Sequence, residues 1–532
     1  MYTKYSLLKI MVPALIGIVM IGSSCRKSLY QGPISATYGA EFWTSQSSVE
    51  QASLAMYGQL RSNLRATYGG EAAHFVTGDL VAGTFLPVSG SFLSYSLQSP
   101  APGYAGNKGI PYYFKYVPYW ENVLLDWSRY YQLIAQANLI LQNVPKMSAS
   151  LFVSEQKRNQ YLAEALFMRS YAYFYMIRIW GDPVYVNQLY SDIDYGNIPP
   201  LARTSESVVL DSCLNDLRKA ANFIAVPVAG NVAIRANAGS NAALTAQIYA
   251  WKHQYDSAHV YCQKVINNYS YSLEPMATYT NLWKGLGSNE NIFELAMQLT
   301  NNDPNFKQGQ TNSWTEAQFN CFATFLKGPA VANSKASCWV APLNGIVNKN
   351  LFVDSVRDVR FKTILQYTPA TGVDKAGYML QKYTNFSYQD SVKKILPYIN
   401  NNLVLMRLSD IYLLDAEALA MTGDLVGSAT ALSKTEIRAG INSYLTANTQ
   451  IALINEIVAE RGRELIGEGQ WFYDLIRTES ILRPSSQGWL EKVGYRSDRT
   501  DALSKGYYWP LNMTTLFPQD NLLTQNPYFT NN

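Results

Sequence analysis

Charge is what this sequence lacks most. Only 15% of its 532 residues are Asp, Glu, Lys or Arg, against about a quarter in an average soluble protein. Lys plus Arg number 43 and Asp plus Glu 39, a formal charge of +4 with histidine neutral. No basic tract interrupts the chain, which argues against a nucleic-acid partner. Histidine is scarce: His74, His253 and His259 do not share a helix face at metal-ligand spacing, and no CxxC or Cys/His cluster is present. The sequence therefore calls for no metal and no cofactor. Five cysteines and 48% apolar residues exclude a disulfide-stapled miniprotein and wholesale disorder, and leave ample material for a large core. After the leader, no apolar run reaches the roughly 18 residues of a membrane-spanning helix.

Aromatic residues are abundant: 39 Tyr, 20 Phe and 11 Trp. A phenol ring joins apolar faces to a hydrogen-bonding tip, which suits ligands such as sugars or peptides, although many of these rings are expected simply to pack a helical core. The first residues read as an address. Lys4 and Lys9 precede an apolar run from Ile10 to Ile21, followed by Gly22, Ser23, Ser24 and Cys25. That order is a secretory signal peptide over residues 1–24, and a cysteine directly after small residues is the pattern of a bacterial lipoprotein, lipidated at Cys25. Gly22 departs from the Leu, Ile or Val usual three positions before the cysteine, and Arg26-Lys27-Ser28 lacks acidic residues. Cys213 and Cys262 fall in helical patterns and are expected as buried thiols. Cys321 and Cys338 lie in a loop-rich stretch where oxidation is open, and four cysteines allow three connectivities.

Helical periodicity is strong in three places. Over 155–180, Leu162, Leu166, Arg169, Tyr173, Met176 and Trp180 advance by fours and threes along one face, and Gly181-Asp182-Pro183 stops the helix. Residues 241–267 read as helix, turn at 253–255, helix. Residues 403–441 repeat that plan with Thr422-Gly423-Asp424 as the turn. Ala250, Ala258, Ala416 and Ala418 let the paired helices approach closely, in the manner of tetratricopeptide-like pairs. A further pair spans 42–61 and 120–142. Residues 64–118 and 281–400 are instead rich in Gly, Pro, Asn, Ser and aromatics, and long inserts on a rigid scaffold are where binding residues collect.

Several segments together resemble the SusD/RagB family of nutrient-binding outer-membrane lipoproteins. "EALFMRSYAYFYMIRIWGDPVYV" over 164–186 is similar to that family's Arg-bearing aromatic helix, short of one residue between Asp182 and Pro183. "DAEALAMTGDL" over 415–425 matches its Ala-Glu-Ala helix, and Arg438-Ala439-Gly440 is kept beyond it, although Ser433 and Glu436 stand where Asn and Arg are usual. "ERGRELIGEGQWFYDLIR" over 460–477 is the most specific match, with Trp471 in place of a customary Arg. Pro510 and Gln525-Asn526-Pro527 resemble the family's closing motif.

The resemblance implies a mostly α fold, a tetratricopeptide-like helix-pair scaffold with a large irregular loop-rich ligand-binding half. After the signal peptide, residues 25–532 would form one domain. Its scaffold would lie mainly at 42–61, 120–280 and 403–480, its inserts at 64–118 and 281–400, and a C-terminal extended segment at 505–532. It further implies a lipid-anchored protein of the outer membrane, facing the cell surface. Such a protein captures oligosaccharides or peptides and hands them, as a lid, to a TonB-dependent (SusC-like) transporter, with no catalytic activity. A stand-alone surface glycan-binding protein and a glycoside hydrolase are the alternatives.

Glu460, Glu464 and Glu468, spaced along one helix face, would suit an acid/base pair. Arg461, Arg463 and Arg477 nearby favour a structural ion network instead, together with Arg169, Glu417 and Asp474. An unpaired charge on an apolar stripe is costly, so Arg169 is expected to pair with Glu417, Glu464 or Glu468. For ligand contact the loop-borne residues are Asp79, Tyr104, Asn107, Tyr112, Trp283, Trp314 and Trp339. Exposed rings at Trp283, Trp314 and Trp339 are expected to bind without supporting the fold. Trp43, Trp127, Trp180, Trp251 and Trp471 fall in helical patterns and are expected in the core.

Overall fold

A computed structural model of the protein describes residues 41–65, 67–68, 71–82, 84–87, 124–188, 200–297, 321–325, 339–342, 351–370, 376–390, 392, 395–445, 447–482 and 503–530. Helix α1 (Gln46–Arg65) buries Val49, Ala52, Met56 and Leu60, one stripe at helical spacing. The first insert then contributes a two-residue ladder, β1 (Thr67–Tyr68) with β2 (Glu71–Ala72), a short helix α2 (Ala73–Gly78) and strand β3 (Leu86–Pro87). Helix α3 (Ser128–Asn143) leads into α4 (Glu155–Trp180), the longest helix among the described residues. Ser154 caps α4 by accepting the Lys157 N–H at 3.0 Å, and Gly181, at φ 73°, ends it.

The one-face reading of α4 needs correcting. From Ala163 to Trp180 every residue except Leu166 is buried, and Leu162 and Leu166, assigned to the core stripe, are only half-buried. A helix covered on all sides shows no polar face for periodicity to report. It packs against α1, α3 and the next helix, α5 (Glu206–Ala220).

Helices α6 (Ala238–Trp251) and α7 (Tyr255–Asn268) form the expected pair, joined at residues 252–254. After strand β4 (Asn291–Leu295), the second insert supplies β5 (Trp339–Pro342), α8 (Val359–Ile364), β6 (Leu365–Thr368), β7 (Gly377–Leu380) and the hairpin β8 (Phe386–Asp390) with β9 (Ile395–Ile399). Strand β10 (Leu403–Arg407) pairs antiparallel with β4, buried on both faces. Those five residues therefore do not begin a helix. A short apolar run buried on both sides carries no periodic signal to separate strand from helix. The second helix pair, α9 (Leu408–Thr422) and α10 (Leu425–Arg438), turns at Gly423 (φ 93°), with Asp424 accepting the Gly427 N–H at 2.9 Å. Ala250, Ala258, Ala416 and Ala418 are all fully buried. Helix α11 (Gln450–Glu464) closes a small satellite core over α9 and α10 with Leu453, Ile454 and Ile457, and α12 (Trp471–Arg477) follows it. Cys213 and Cys262 are buried free thiols, and Trp43, Trp127, Trp180 and Trp471 are core residues.

The C-terminal segment is not one extended run; it turns repeatedly and ends in a helical turn at Pro527–Thr530. Gln525 holds both backbone groups of Leu511, accepting its N–H at 2.9 Å and donating to its carbonyl at 2.8 Å, while Asn526 donates to the Trp509 carbonyl at 2.6 Å. Gln525→Ala leaves two buried backbone groups of Leu511 without these partners. The expected loss is about 1–2 kcal/mol, read as a lowered urea midpoint; an unchanged midpoint would assign the clamp no energetic role.

Candidate functional site

Residues 460–477 close α11, turn, and enter α12. Gly467 (φ 73°) and Gly469 (φ 74°) make the turn. A Cβ on Gly469 would lie 2.3 Å from His74 Nε2, and one on Gly78 would lie 2.2 Å from the Gly469 carbonyl oxygen. Only glycine at both positions lets the first insert touch this turn. The contact is hydrogen-bonded throughout. Asp79 Oδ2 accepts the Gly469 N–H at 2.5 Å, and the Tyr473 hydroxyl donates to Thr77 Oγ1 at 2.9 Å. Burial lowers the His74 pKa to about 3, so its imidazole is neutral. Its Nε2 faces the Glu468 carbonyl at 3.1 Å and must carry the proton; Nδ1 then accepts from the Tyr175 hydroxyl at 2.9 Å.

The second insert grips the same turn from another side. Lys382 Nζ donates to the Glu464 carbonyl at 2.9 Å and to Glu468 Oε1 at 2.5 Å, and the Tyr383 hydroxyl donates to the Gly467 carbonyl at 2.7 Å. Arg360, fully buried, pairs with Asp358 at 2.8 Å, Glu460 at 2.6 Å and Glu464 at 2.9 Å. The scaffold adds Arg407 from β10 and Arg438 from α10, both bound to Glu290 and Glu464. Arg461 joins Asp410 at 2.5 Å to Asp474 at 2.7 Å, and Arg477 joins Asp474 at 2.8 Å to Glu417 at 2.6 Å. Burial alone would push Glu464 up, but Arg438, Arg407 and Arg360 outweigh it and hold this carboxyl well below the usual range. Glu468 lies beyond the end of α11, in the turn, and so does not share a helix face with Glu460 and Glu464. All three carboxylates are buried and held by cations, an arrangement that positions the second insert.

Arg169 does not reach the later helices. Its Nε and Nη2 donate to Asp216 Oδ2 at 2.9 and 2.7 Å, and Nη1 donates to Asn138 at 2.7 Å. The partner sits on α5, the helix packed beside α4, and Glu417 belongs to Arg477. On the other side of α4, buried Glu164 takes the Arg235 guanidinium in a two-point bond at 2.6 and 3.2 Å. Neither partner is legible from spacing, because both pairs are long-range.

Two of the seven ligand candidates fall in the interior. Trp283 is completely buried, with Lys382 Nζ 4.7 Å above its ring and Tyr279 edge-on at 5.3 Å. It sits in a short helical turn, Tyr279–Trp283, wedged under the ion network, so its ring packs the core and presents no exposed face. Asp79 is 1% exposed and occupied by the Gly469 amide. Trp339 opens β5, its backbone paired with Pro87. Tyr104, Asn107, Tyr112 and Trp314 lie outside the described residues, as do Cys25 and Cys338.

The two inserts meet in one four-stranded sheet of order β3-β5-β7-β6, the first strand from the first insert and the rest from the second. Under it, Phe75 and Phe85 of the first insert pack on Phe325 of the second at 4.8 and 4.7 Å, and Phe322 stacks on Tyr383 at 4.3 Å. At the open edge, Tyr367 on β6 and Tyr378 on β7 are cross-strand partners with ring centroids 5.9 Å apart. Tyr367 is 50% exposed. On the opposite face of the hairpin, Gln381 donates to Gln366 at 2.7 Å. Tyr378 is half-buried, with Phe361 edge-on at 5.0 Å, so Tyr367 presents the exposed ring of the pair, a face of the kind suited to stacking on a neutral ring. Sequence reasoning passed over both tyrosines; the signal was a short polar-aromatic run on each side of a Pro- and Gly-containing loop, the mark of a hairpin.

Comparison with known proteins agrees with this architecture. Residues 358–529 match the model of the SusD family, and residues 105–250 match a second model described as starch-binding and associating with the outer membrane. A SusD-like protein of Formosa agariphila is 25% identical over 492 residues, covering 86% of this chain and 88% of that protein. A SusD-like protein of Bacteroides ovatus is 24% identical over 412 residues, 72% and 70% of the two chains. A SusD homolog from Bacteroides thetaiotaomicron superposes with a TM-score of 0.69 at 23% identity, over 92% of this chain and 99% of that one. A laminarin-binding SusD-like protein superposes with a TM-score of 0.65 at 20% identity, over 91% and 99%. The two family models cover the regions carrying the aromatic helix and the charged turn, and the fold superposes over 92% of this chain: the chain belongs to the SusD/RagB family.

Proposed function

We propose that this protein captures oligosaccharides at the outer membrane without transforming them, and passes them on as the lid of a TonB-dependent transporter. One observation carries the reading: two long inserts, far apart in sequence, join in one sheet whose open edge bears the exposed Tyr367 ring beside Tyr378. Relatives support it, one being a laminarin-binding protein and one family model being described as starch-binding. Such surfaces give moderate affinity, because stacking on exposed rings supplies contact without deep enclosure, and a carrier must release what it holds. Peptides are the alternative ligand. Cys25 is the proposed anchor, facing the cell surface. Trp339 on β5, Tyr104, Asn107, Tyr112 and Trp314 remain proposed contacts.

The test is calorimetry of the protein against a panel of glucan, mannan and galactan oligosaccharides and peptides. Tyr367→Ala is expected to weaken binding of the preferred oligosaccharide by about 5–10-fold. Its melting temperature should stay near that of the parent, since a half-exposed ring contributes little to the fold. Binding of peptides alone, or undiminished oligosaccharide binding by Tyr367→Ala and Tyr378→Ala, would overturn the reading.

A further inference from the structure

A cavity lies outside the two-insert sheet and shares no residue with it. It encloses ≈ 260 Å³ between the 225–237 connection leading into α6 and residues 270–291. That is just below the about 300 Å³ at which drug-sized sites begin, room for one ring and too little for an extended chain.

Its walls are fixed. The Ala225 carbonyl accepts the Ala238 N–H at 2.7 Å, closing the base of the connection. Ala233 is held at both backbone groups by Glu294, its N–H by Oε1 at 3.0 Å and its carbonyl by the Glu294 N–H at 2.9 Å. Gly287 rests directly on Gly230, where a Cβ would lie 2.1 Å from the carbonyl oxygen. The Tyr271 ring is pinned through its hydroxyl, which donates to Asn237 at 3.2 Å.

The chemistry of the lining is selective. Its one charged side chain, Arg235, is already consumed: Glu50 takes Nη1 at 2.5 Å, Glu164 takes Nη2 at 2.6 Å, and Ser53 accepts at 3.1 Å. A guanidinium so neutralised offers little to an anion, and no carboxylate in the lining offers anything to a cation. The side chains of Asn231, Asn289 and Ser270 are exposed at the cavity and make no hydrogen bond among the described residues. They supply both donors and acceptors. The apolar part includes the Tyr271 ring with Val226 and Val228, the two valines 69% and 66% exposed. Valines left in water beside a fixed ring and free amides match a ligand with one apolar face and a rim of hydroxyls.

We infer that this cavity is a second binding site, for a single neutral hexose ring. The site is independent of the insert face. The experiment uses the purified full chain and four probes taken singly, D-glucose, D-galactose, D-mannose and N-acetyl-D-glucosamine, followed by ligand-observed saturation-transfer NMR and titration. At least one hexose is expected to bind with a millimolar Kd. Asn289→Trp and, from the other lining segment, Asn231→Trp should each weaken that binding about tenfold or more, because an indole at either position fills a one-ring cavity. Both residues are exposed and unbonded, so melting temperatures should hold, and either variant suffices if the other misfolds. Tyr367→Ala should leave hexose binding unchanged. The inference is overturned if none of the four hexoses binds, if binding survives a folded Asn289→Trp or Asn231→Trp variant, or if it is lost in Tyr367→Ala. Failure of the insert-face reading shows separately, as oligosaccharide binding that ignores Tyr367 and Tyr378.

Discussion

Arg407→Ala is expected to cost about 3–5 kcal/mol, a large share of the 5–15 kcal/mol that holds a typical domain together. Arg407 is 1% exposed and every donor of its guanidinium is used. Nε and Nη2 donate to Glu468 at 2.9 Å each, Nη2 also to the Glu464 carbonyl at 2.7 Å, and Nη1 to Glu290 at 2.8 Å as well as to Glu464 and Ser409. Removing it takes one positive charge from a site where Glu290, Glu464 and Glu468 stay buried, with only Arg438, Arg360 and Lys382 left to hold them. Arg407→Lys restores the charge but not the planar fork, and should recover only part of the loss. The effect on ligand is indirect. The turn that carries Glu468 anchors both inserts, so binding should fall in step with the folded fraction. Urea unfolding checks the magnitude; an alanine variant within about 1 kcal/mol of the parent would show that the network relaxes easily around the missing cation.

Asp79→Asn is expected to change the pH dependence of stability rather than to weaken the fold. Burial raises the Asp79 pKa from 3.8 to about 8. Between those values the unfolded chain has lost this proton and the folded protein keeps it. Stability therefore falls as pH rises, by about 1.4 kcal/mol per unit for one group. The contribution is fully present below the unfolded pKa and gone above about pH 8. From pH 5 to pH 8 the parent should lose on the order of 2–4 kcal/mol through this residue. An asparagine accepts the Gly469 N–H equally well and has no proton to lose, so the variant should show a flatter profile and higher stability at pH 8. Lys382 does not confuse the window. Burial, opposed by Glu468, brings its pKa from 10.5 down to about 8, and its contribution changes only above pH 8, where stability rises with pH. Urea midpoints of both proteins at pH 5, 6, 7 and 8 decide the matter, and parallel profiles would mean that Asp79 is ionised throughout.

Much of the scaffold is written in the sequence. The bounds of the helix over Glu155–Trp180 follow from local signals, the Ser154 cap and Gly181, and the two helix pairs from their turns, Gly423 among them, which depend on neighbours a few residues away. The sequence of 460–477, with acids and arginines alternating among apolar residues, already excluded a solvated face, because charges in that setting must find partners. What it did not contain was the identity of those partners. Arg169 pairs with Asp216 and not with Glu417, Glu464 or Glu468, since the choice depends on which helix lies beside α4. Trp283, in loop-rich sequence, is buried because Lys382 and Arg407 fold over it from segments about a hundred residues away. The strand at Leu403–Arg407 was hidden for a related reason: a run covered on both faces has no pattern of its own. The cavity beside Tyr271 is likewise a product of long-range contact, and so is the pairing with β5 that sets the Tyr367–Tyr378 hairpin at the edge of the sheet. Periodicity records which side of an element is buried, but only the tertiary structure decides what covers it, because that contact is made between residues whose distance along the chain leaves no local trace.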